Sequence, residues 1–406
     1  MSSNADLVAL ARRHLYPNYK PAPVAFVRGR GCELFDADGR RWLDLSAGIA
    51  VCAVGHAHPQ LVGAIAEQAG AVMHVSNYFY NEPNILLASE LCRRTGFDRA
   101  FFCNSGTEAN EAMLKLARHH YFGLGRPERV RLIAFDNAFH GRTLGALSLT
   151  GTAKYREGFG PLGPVTHVPY GDADAVEGVM GSDVCAIIVE PLQGEGGVLP
   201  APPGFLARLR TIADAHGALL LVDEVQTGVG RLGRFLAVEA AGVRPDAVAL
   251  AKGLGGGFPI GAMLTTEKLS GALPPGTHGC TFGGNPLASA AALAVLRILD
   301  EENLVAEARK KGDSLGAMLQ LLVDDIPAVC ESARGAGLLW GLVLRPGFAA
   351  RDVLAHVQNA GVLLTAAGER VLRFAPPLIV SVAQLEEGIR TLRGVLSELP
   401  ALRASA

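Results

Sequence analysis

The chain has 406 residues, 49% of them hydrophobic and 19% charged, with 49 glycines and 23 prolines. That composition is globular and glycine-enriched and excludes disorder, collagen and coiled coil; at roughly 150 residues per domain it predicts two or three domains whose core needs no disulfide or structural metal. The 37 Lys and Arg balance 39 Asp and Glu for a net charge of -2, which leaves no basic field for nucleic acid and no polybasic membrane anchor. A small-molecule partner is expected.

Seven cysteines (Cys32, Cys52, Cys92, Cys103, Cys185, Cys280, Cys330) are odd in number, scattered and free of any C-x-x-C pair. They predict neither a disulfide framework nor a zinc cage and fit a reducing compartment. Residues 1–13 are polar and every apolar run is too short for a membrane helix, so a cytoplasmic protein with no membrane partner is expected.

Residues 29–45 read as a hairpin, with Asp38-Gly39 between 32–35 and 41–43. It is expected to pack with the C-terminal domain. The turn Gly55-His56-Ala57-His58-Pro59 reads as a structural loop, because no third metal ligand is near its histidines. Further along, short apolar runs at 101–103, 132–135, 186–189, 219–222 and 248–251 alternate with helical patterns. That alternation predicts a mostly parallel sheet with crossover helices. Its clearest unit runs from 187–189 through a helix over 204–216, entered by Pro202-Pro203 and stopped by Gly217, into 219–222. Asn285-Pro286, an Asn cap with Pro at the first helical position, opens a helix to about Asp300. The charged segment 301–311 reads as a domain seam. The expected organisation is an N-terminal part of a small domain over 1–60, a large domain over 61–300, and a C-terminal small domain over 301–406.

In an open parallel sheet, ligands bind beyond the carboxyl ends of the strands, so the residues that follow each apolar run are the functional candidates. After 101–103 comes Asn104-Ser105-Gly106-Thr107-Glu108-Ala109-Asn110, a helix start whose free N–H groups and hydroxyls suit a phosphate. Alone, such a start is more often an ordinary cap. After 187–189 come Glu190-Pro191 and Gln193-Gly194-Glu195-Gly196-Gly197; after 219–222 comes Asp223-Glu224-Val225-Gln226. No His or Asp cluster with metal spacing accompanies these carboxylates, and no metal is expected. The run 247–251 ends in Lys252, ahead of Gly253-Leu254-Gly255-Gly256-Gly257. A lysine at the inner end of such a strand is costly, and is either paired or made chemically useful. The glycines are spaced G-x-G-x-G without the acidic residue of a dinucleotide fingerprint, and Walker, G-x-S-x-G and H-E-x-x-H motifs are absent. A nucleotide-binding protein using 253–257 is the reading from another class, but it leaves Asp223 and Lys252 unexplained. Pyridoxal phosphate needs a lysine amine for its aldehyde, an acid for its ring nitrogen and a cradle for its phosphate. Lys252, Asp223 and Ser105-Gly106-Thr107 supply these in turn.

With Asn137-Ala138-Phe139-His140-Gly141-Arg142-Thr143 and Thr281-Phe282-Gly283-Gly284-Asn285-Pro286 added, nearly the whole chain resembles the class III pyridoxal-phosphate aminotransferases of fold type I. The resemblance implies an α/β fold: a large domain with a mostly parallel central sheet flanked by helices, plus a smaller α+β domain built from the two chain ends. It implies transamination between an amino donor and 2-oxoglutarate on a homodimer with active sites at the interface. Within the family it points to the branch acting on acetylornithine in arginine biosynthesis; succinylornithine, succinyldiaminopimelate, ornithine and 4-aminobutyrate transamination share the catalytic set. By the family pattern Lys252 carries the cofactor and the proton, Asp223 meets the ring nitrogen, Phe139 stacks on the ring, and Val225 and Gln226 lie against it, with Gln226 near the 3-hydroxyl. Thr281 reaches the phosphate of the neighbouring subunit. Arg142 takes the distal carboxylate and Arg373 the α-carboxylate of glutamate, while Glu195 pairs with Arg373 and releases it. Tyr19 and Asn77 line the substrate tail pocket. Cys280, in His278-Gly279-Cys280-Thr281, stands where relatives commonly have Ser, and its thiol is the weaker hydrogen-bond donor.

Overall fold

Strands that are apolar on both faces build the centre of the molecule. Val184–Val189, Leu219–Asp223 and Ala247–Leu250 are buried at every position, as strands covered by helices on both sides must be. The computed structural model, which describes residues 2–404, gathers them into a seven-stranded sheet in the order Arg99–Cys103, Gly261–Thr265, Ala247–Leu250, Leu219–Asp223, Val184–Val189, Arg131–Phe135, Val165–Val168. The last five strands of that order run parallel. Gly261–Thr265 is antiparallel to both of its neighbours. It follows Ala247–Leu250 after residues 251–260, fewer than the dozen or more that a parallel crossover takes, so the chain can only turn back.

The helices start and stop where the sequence marks them. Phe205–Ala215 is capped by Gly204 at φ 79°, and Gly217 follows it at φ 59°. Pro286–Glu301 begins under Asn285, whose side chain accepts from the Ala288 N–H at 2.8 Å. Asn303, at φ 51°, then redirects the chain into a second long helix, Leu304–Asp325. Most of the charged segment 301–311 is therefore helical, and its apolar face lies on the strand Cys330–Ala336.

That strand belongs to a second sheet, in the order Cys330–Ala336, Leu339–Leu344, Val371–Phe374, Thr365–Ala366, antiparallel throughout. The hairpin read at 29–45 pairs Glu33–Asp36 with Arg41–Asp44 and gains an outer strand, Phe26–Arg30. Leu43 and Asp44 pair in parallel with Val362 and Leu363, which joins the beginning of the chain to its C-terminal part. The two histidines of the 55–59 turn act structurally: His56 Nε2 lies 2.7 Å from Asp44 Oδ2, and His58 Nε2 lies 2.9 Å from Glu302 Oε1. Among the described residues no helix is long and apolar enough to cross a membrane.

Candidate active site

The carboxyl ends of Arg99–Cys103, Leu219–Asp223 and Ala247–Leu250 open on one cavity of about 390 Å³. Ten residues singled out from the sequence line it: Ser105, Gly106, Thr107, Phe139, Arg142, Glu195, Asp223, Val225, Gln226 and Lys252. Residues more than a hundred positions apart thus meet because their strands lie in one sheet, with only Gly261–Thr265 between Arg99–Cys103 and Ala247–Leu250.

Lys252 follows its strand directly and takes a left-handed φ of 40°. Part of its surface opens on the cavity, yet the protein packed around it desolvates the amine and pushes its pKa down to about 8. The charges of Glu195 and Asp223 oppose that fall, and the charge of Arg373 adds to it.

Asp223 is buried and held from three directions. Its Oδ2 accepts from Asn110 Nδ2 at 2.7 Å and from His140 Nδ1 at 2.8 Å, and its Oδ1 accepts from the Val225 N–H at 2.9 Å. A carboxylate can only accept, so this geometry puts the His140 proton on Nδ1. Burial works against a charged His140, but the hydrogen bond and charge of Asp223, and then the charge of Glu190, outweigh it and raise the pKa. Asn110 Nδ2 also donates to the His140 carbonyl at 2.8 Å, which locks the two supports together. Glu190 accepts from the Phe139 N–H at 3.0 Å, and burial pushes its carboxyl above the ordinary range.

The helix Gly106–Gly123 starts at the cavity under Ser105, whose hydroxyl accepts from the Glu108 N–H and donates to the Glu108 carboxylate at 2.9 Å. First-turn N–H groups have no partner inside a helix and carry its positive end. Gly106 is required by space: a Cβ there would lie 2.6 Å from Val225 Cγ1. Thr107 Oγ1 accepts from the Arg142 N–H at 3.2 Å and pairs with Thr143 Oγ1 at 3.0 Å.

Two arginines differ sharply in setting. Arg373, from Val371–Phe374 of the second sheet, has a side chain only 1% exposed. Its Nη1 donates to Glu195 Oε1 at 2.5 Å, to the Gly194 carbonyl at 3.2 Å and to Gln226 Oε1 at 3.3 Å, and its Nε donates to Thr365 Oγ1 at 3.0 Å. Burial works against ionisation of Glu195, yet Arg373 and then Lys252 hold its carboxyl below the ordinary range. Arg142 is exposed and forms no ion pair among the described residues; its guanidinium carbon lies 3.9 Å from the ring centre of Tyr155.

Five predicted residues are not on the cavity wall, and one of them, Arg373, reaches it through Glu195. Thr281 and Tyr19 are exposed, and Asn77 donates to the carbonyls of Cys280, at 2.8 Å, and Gly283, at 3.2 Å. Cys280 Sγ accepts from Asn104 Nδ2 at 3.0 Å, beside the phosphate-type helix start. Conversely, Asn110, His140 and Glu190 line the cavity without having been singled out as site residues. Asn110 had a readable signal: it is a polar residue on the helix face that carries Ala109, Ala112 and Met113 into the core.

The family model for class III aminotransferases matches residues 15–396. The chain is 51% identical over 387 residues to an acetylornithine aminotransferase from Myxococcus xanthus, covering 95% of this chain and 96% of that one. It is 44% identical to a succinylornithine transaminase/acetylornithine aminotransferase from Pseudomonas aeruginosa, over 95% and 96% of the two chains. Among solved structures it is similar to the ornithine aminotransferase from Toxoplasma gondii, with a TM-score of 0.94, 32% identity, and coverage of 99% and 96%.

Proposed function

The chain belongs to the class III aminotransferases, and from that membership we propose that it transfers the side-chain amino group of acetylornithine to 2-oxoglutarate, with pyridoxal phosphate held at Lys252. The observation that carries the reading is the placement of Lys252 on one cavity with Asp223 and the helix start at 105–107. These residues fit the cofactor: an amine for its aldehyde, an anion for its ring nitrogen and a positive helix end for its phosphate. When bound, pyridoxal phosphate supplies a protonated ring that draws electrons from the bond broken at the amine-bearing carbon.

The protein's own groups do the rest. An amine with a pKa of about 8 is neutral often enough near pH 7 to serve as nucleophile and then as the base that moves a proton between two carbons. Asp223, fixed by Asn110, His140 and Val225, keeps its negative charge at one place, so no reorganisation is needed as the reaction proceeds. Phe139 lines the cavity as the ring-stacking partner.

Arg373 is held on several sides, whereas the side chain of Glu195 is 27% exposed, so Glu195 is the partner free to move. Paired, the two present no net charge to a donor whose reacting carbon bears no carboxylate. When 2-oxoglutarate enters, its carboxylate displaces Glu195 and takes the guanidinium fork. Arg142 receives the remote carboxylate of either substrate.

A homodimer follows from the same reading. Thr281, expected at a phosphate, is exposed and does not line this chain's own cavity; it follows Cys280, whose carbonyl accepts from Asn77, the residue before the exposed Tyr78, Phe79 and Tyr80. A cytoplasmic location accords with seven unpaired cysteines. The Pseudomonas aeruginosa relative favours succinylornithine as the second reading. Initial rates with 2-oxoglutarate and acetylornithine, succinylornithine, ornithine or 4-aminobutyrate decide between them. The highest kcat/KM is expected for acetylornithine, and a preference for ornithine or 4-aminobutyrate overturns the substrate. Borohydride reduction followed by peptide mapping is expected to label Lys252; turnover near the wild-type rate in Lys252→Ala would sink the mechanism.

A further inference from the structure

The geometry points to Tyr155 as a positioning residue for Arg142, one that sets selectivity for substrates bearing a carboxylate remote from the reacting carbon; the inference rests on the reading of Arg142 above. The guanidinium carbon of Arg142 lies 3.9 Å from the centre of the Tyr155 ring, within the range of a cation–π contact. The ring is itself braced. It sits on the short turn Ala153–Tyr155, closed by Tyr155 N–H donating to the Thr152 carbonyl at 3.0 Å. Phe139 meets it edge to face, with centroids 6.2 Å apart and planes at 87°.

The root of Arg142 is fixed as well, since its N–H donates to Thr107 Oγ1 at 3.2 Å. Held at both ends, the side chain needs little ordering when a substrate arrives, and that ordering is a cost that binding otherwise bears. A ring under a guanidinium occupies its face and leaves the in-plane N–H donors for a carboxylate, which a competing acid would not do. Arg142 has no such acid among the described residues, unlike Arg373 with Glu195. Tyr155 therefore takes the place of a counter-ion without blocking the fork.

The test compares the wild-type holoenzyme with Tyr155→Leu, Tyr155→Phe and Arg142→Ala. Three ligands are used: acetylornithine, 2-oxoglutarate, and N-acetylputrescine, which is acetylornithine without its carboxylate, as alternative donor or competitor. Loss of the ring face is expected to raise KM for the first two roughly five- to ten-fold, with kcat and the apparent affinity for N-acetylputrescine unchanged. Tyr155→Phe, which keeps the face, is expected to restore both KM values. Equal losses for all three ligands, or a phenylalanine variant no better than leucine, would show a merely structural ring and overturn the proposal. Should Tyr155→Leu not fold, Tyr155→Met takes its place with the same expectation. A raised KM in Arg142→Ala without one in Tyr155→Leu defeats Tyr155 alone. No change in Arg142→Ala defeats the reading of Arg142, and the role of Tyr155 falls with it.

Discussion

Lys252 has to be stored as a largely desolvated amine before it can act, and the storage has a sign and a pH window. Its folded pKa, about 8, lies below the ordinary 10.5, so between those values the unfolded chain binds more protons than the folded one. Stability must then rise with pH across that window. The cost of holding the lysine is fully present below pH 8 and is gone above 10.5. The depression corresponds to at most about 3 kcal/mol, less whatever cavity water recovers by reaching the side chain. In cofactor-free protein, the stability advantage of Lys252→Met over wild type should therefore shrink by up to about 3 kcal/mol between pH 7 and pH 11. Urea unfolding at a series of pH values reads it, and a gap that stays constant would mean that the lysine is not held this way. Lys252 and Asp223 were legible in the sequence because each interrupts an apolar run at a strand end. His140 and Tyr155 were not, because each acts on another side chain. Which helix face meets which strand end is set by tertiary register, and a local pattern does not contain it.

At the scale of elements, the site is a set of strand ends brought level with one helix start, and the closeness of that approach is itself testable. Gly106 opens the helix Gly106–Gly123, and a Cβ on it would stand 2.6, 2.9 and 3.3 Å from Cγ1, Cγ2 and Cβ of Val225. A rotamer change of Val225 cannot relieve the contact with its own Cβ, and χ1 of a β-branched residue is stiff in any case. Gly106→Ala should therefore push the helix start away from the loop that follows Asp223 and loosen the anion site between them. The expected result is a roughly ten-fold or greater loss of cofactor affinity, since contacts between 3.0 and 2.6 Å force backbone shifts of the kind that cost about 1–3 kcal/mol. Titration of the cofactor-free variant, followed by visible absorbance, measures it; wild-type affinity would mean that the loop yields freely. The buried strands and their βαβ order were readable because both faces of each strand are apolar. The antiparallel insertion of Gly261–Thr265 was not, since pairing order depends on where a short connection allows the chain to turn. The helix Leu304–Asp325 was also obscured, because its exposed first turns carry the charges that made 301–311 read as a seam.

The whole molecule carries an apolar surface that its own fold does not cover. Tyr78 is 93% exposed, Phe79 71% and Tyr80 95%, in a segment tied to the 280–284 loop by Asn77 and Asn81. Phe282 of that loop is 59% exposed and lies beside His74, with ring centroids 5.4 Å apart. A cluster of large rings at the surface marks an association site. A net charge of -2 gives two copies little long-range repulsion to overcome. Thr281 sits in the same loop, so closing this face with a second copy would carry a hydroxyl to the partner's cavity at the moment the rings are buried. Assembly and activity should then fail together. Charged substitutions such as Tyr78→Glu with Phe79→Glu are expected to shift sedimentation from twice the chain mass to a single chain, because an interface core tolerates unpaired charge poorly. Cofactor affinity and kcat should fall in the same preparation, while circular dichroism stays that of the folded chain. Thr281→Ala supplies the complementary case: the dimer is expected to persist and only cofactor retention to weaken. A monomeric variant with full activity would mean that each cavity is complete within one chain and that the exposed rings serve another purpose.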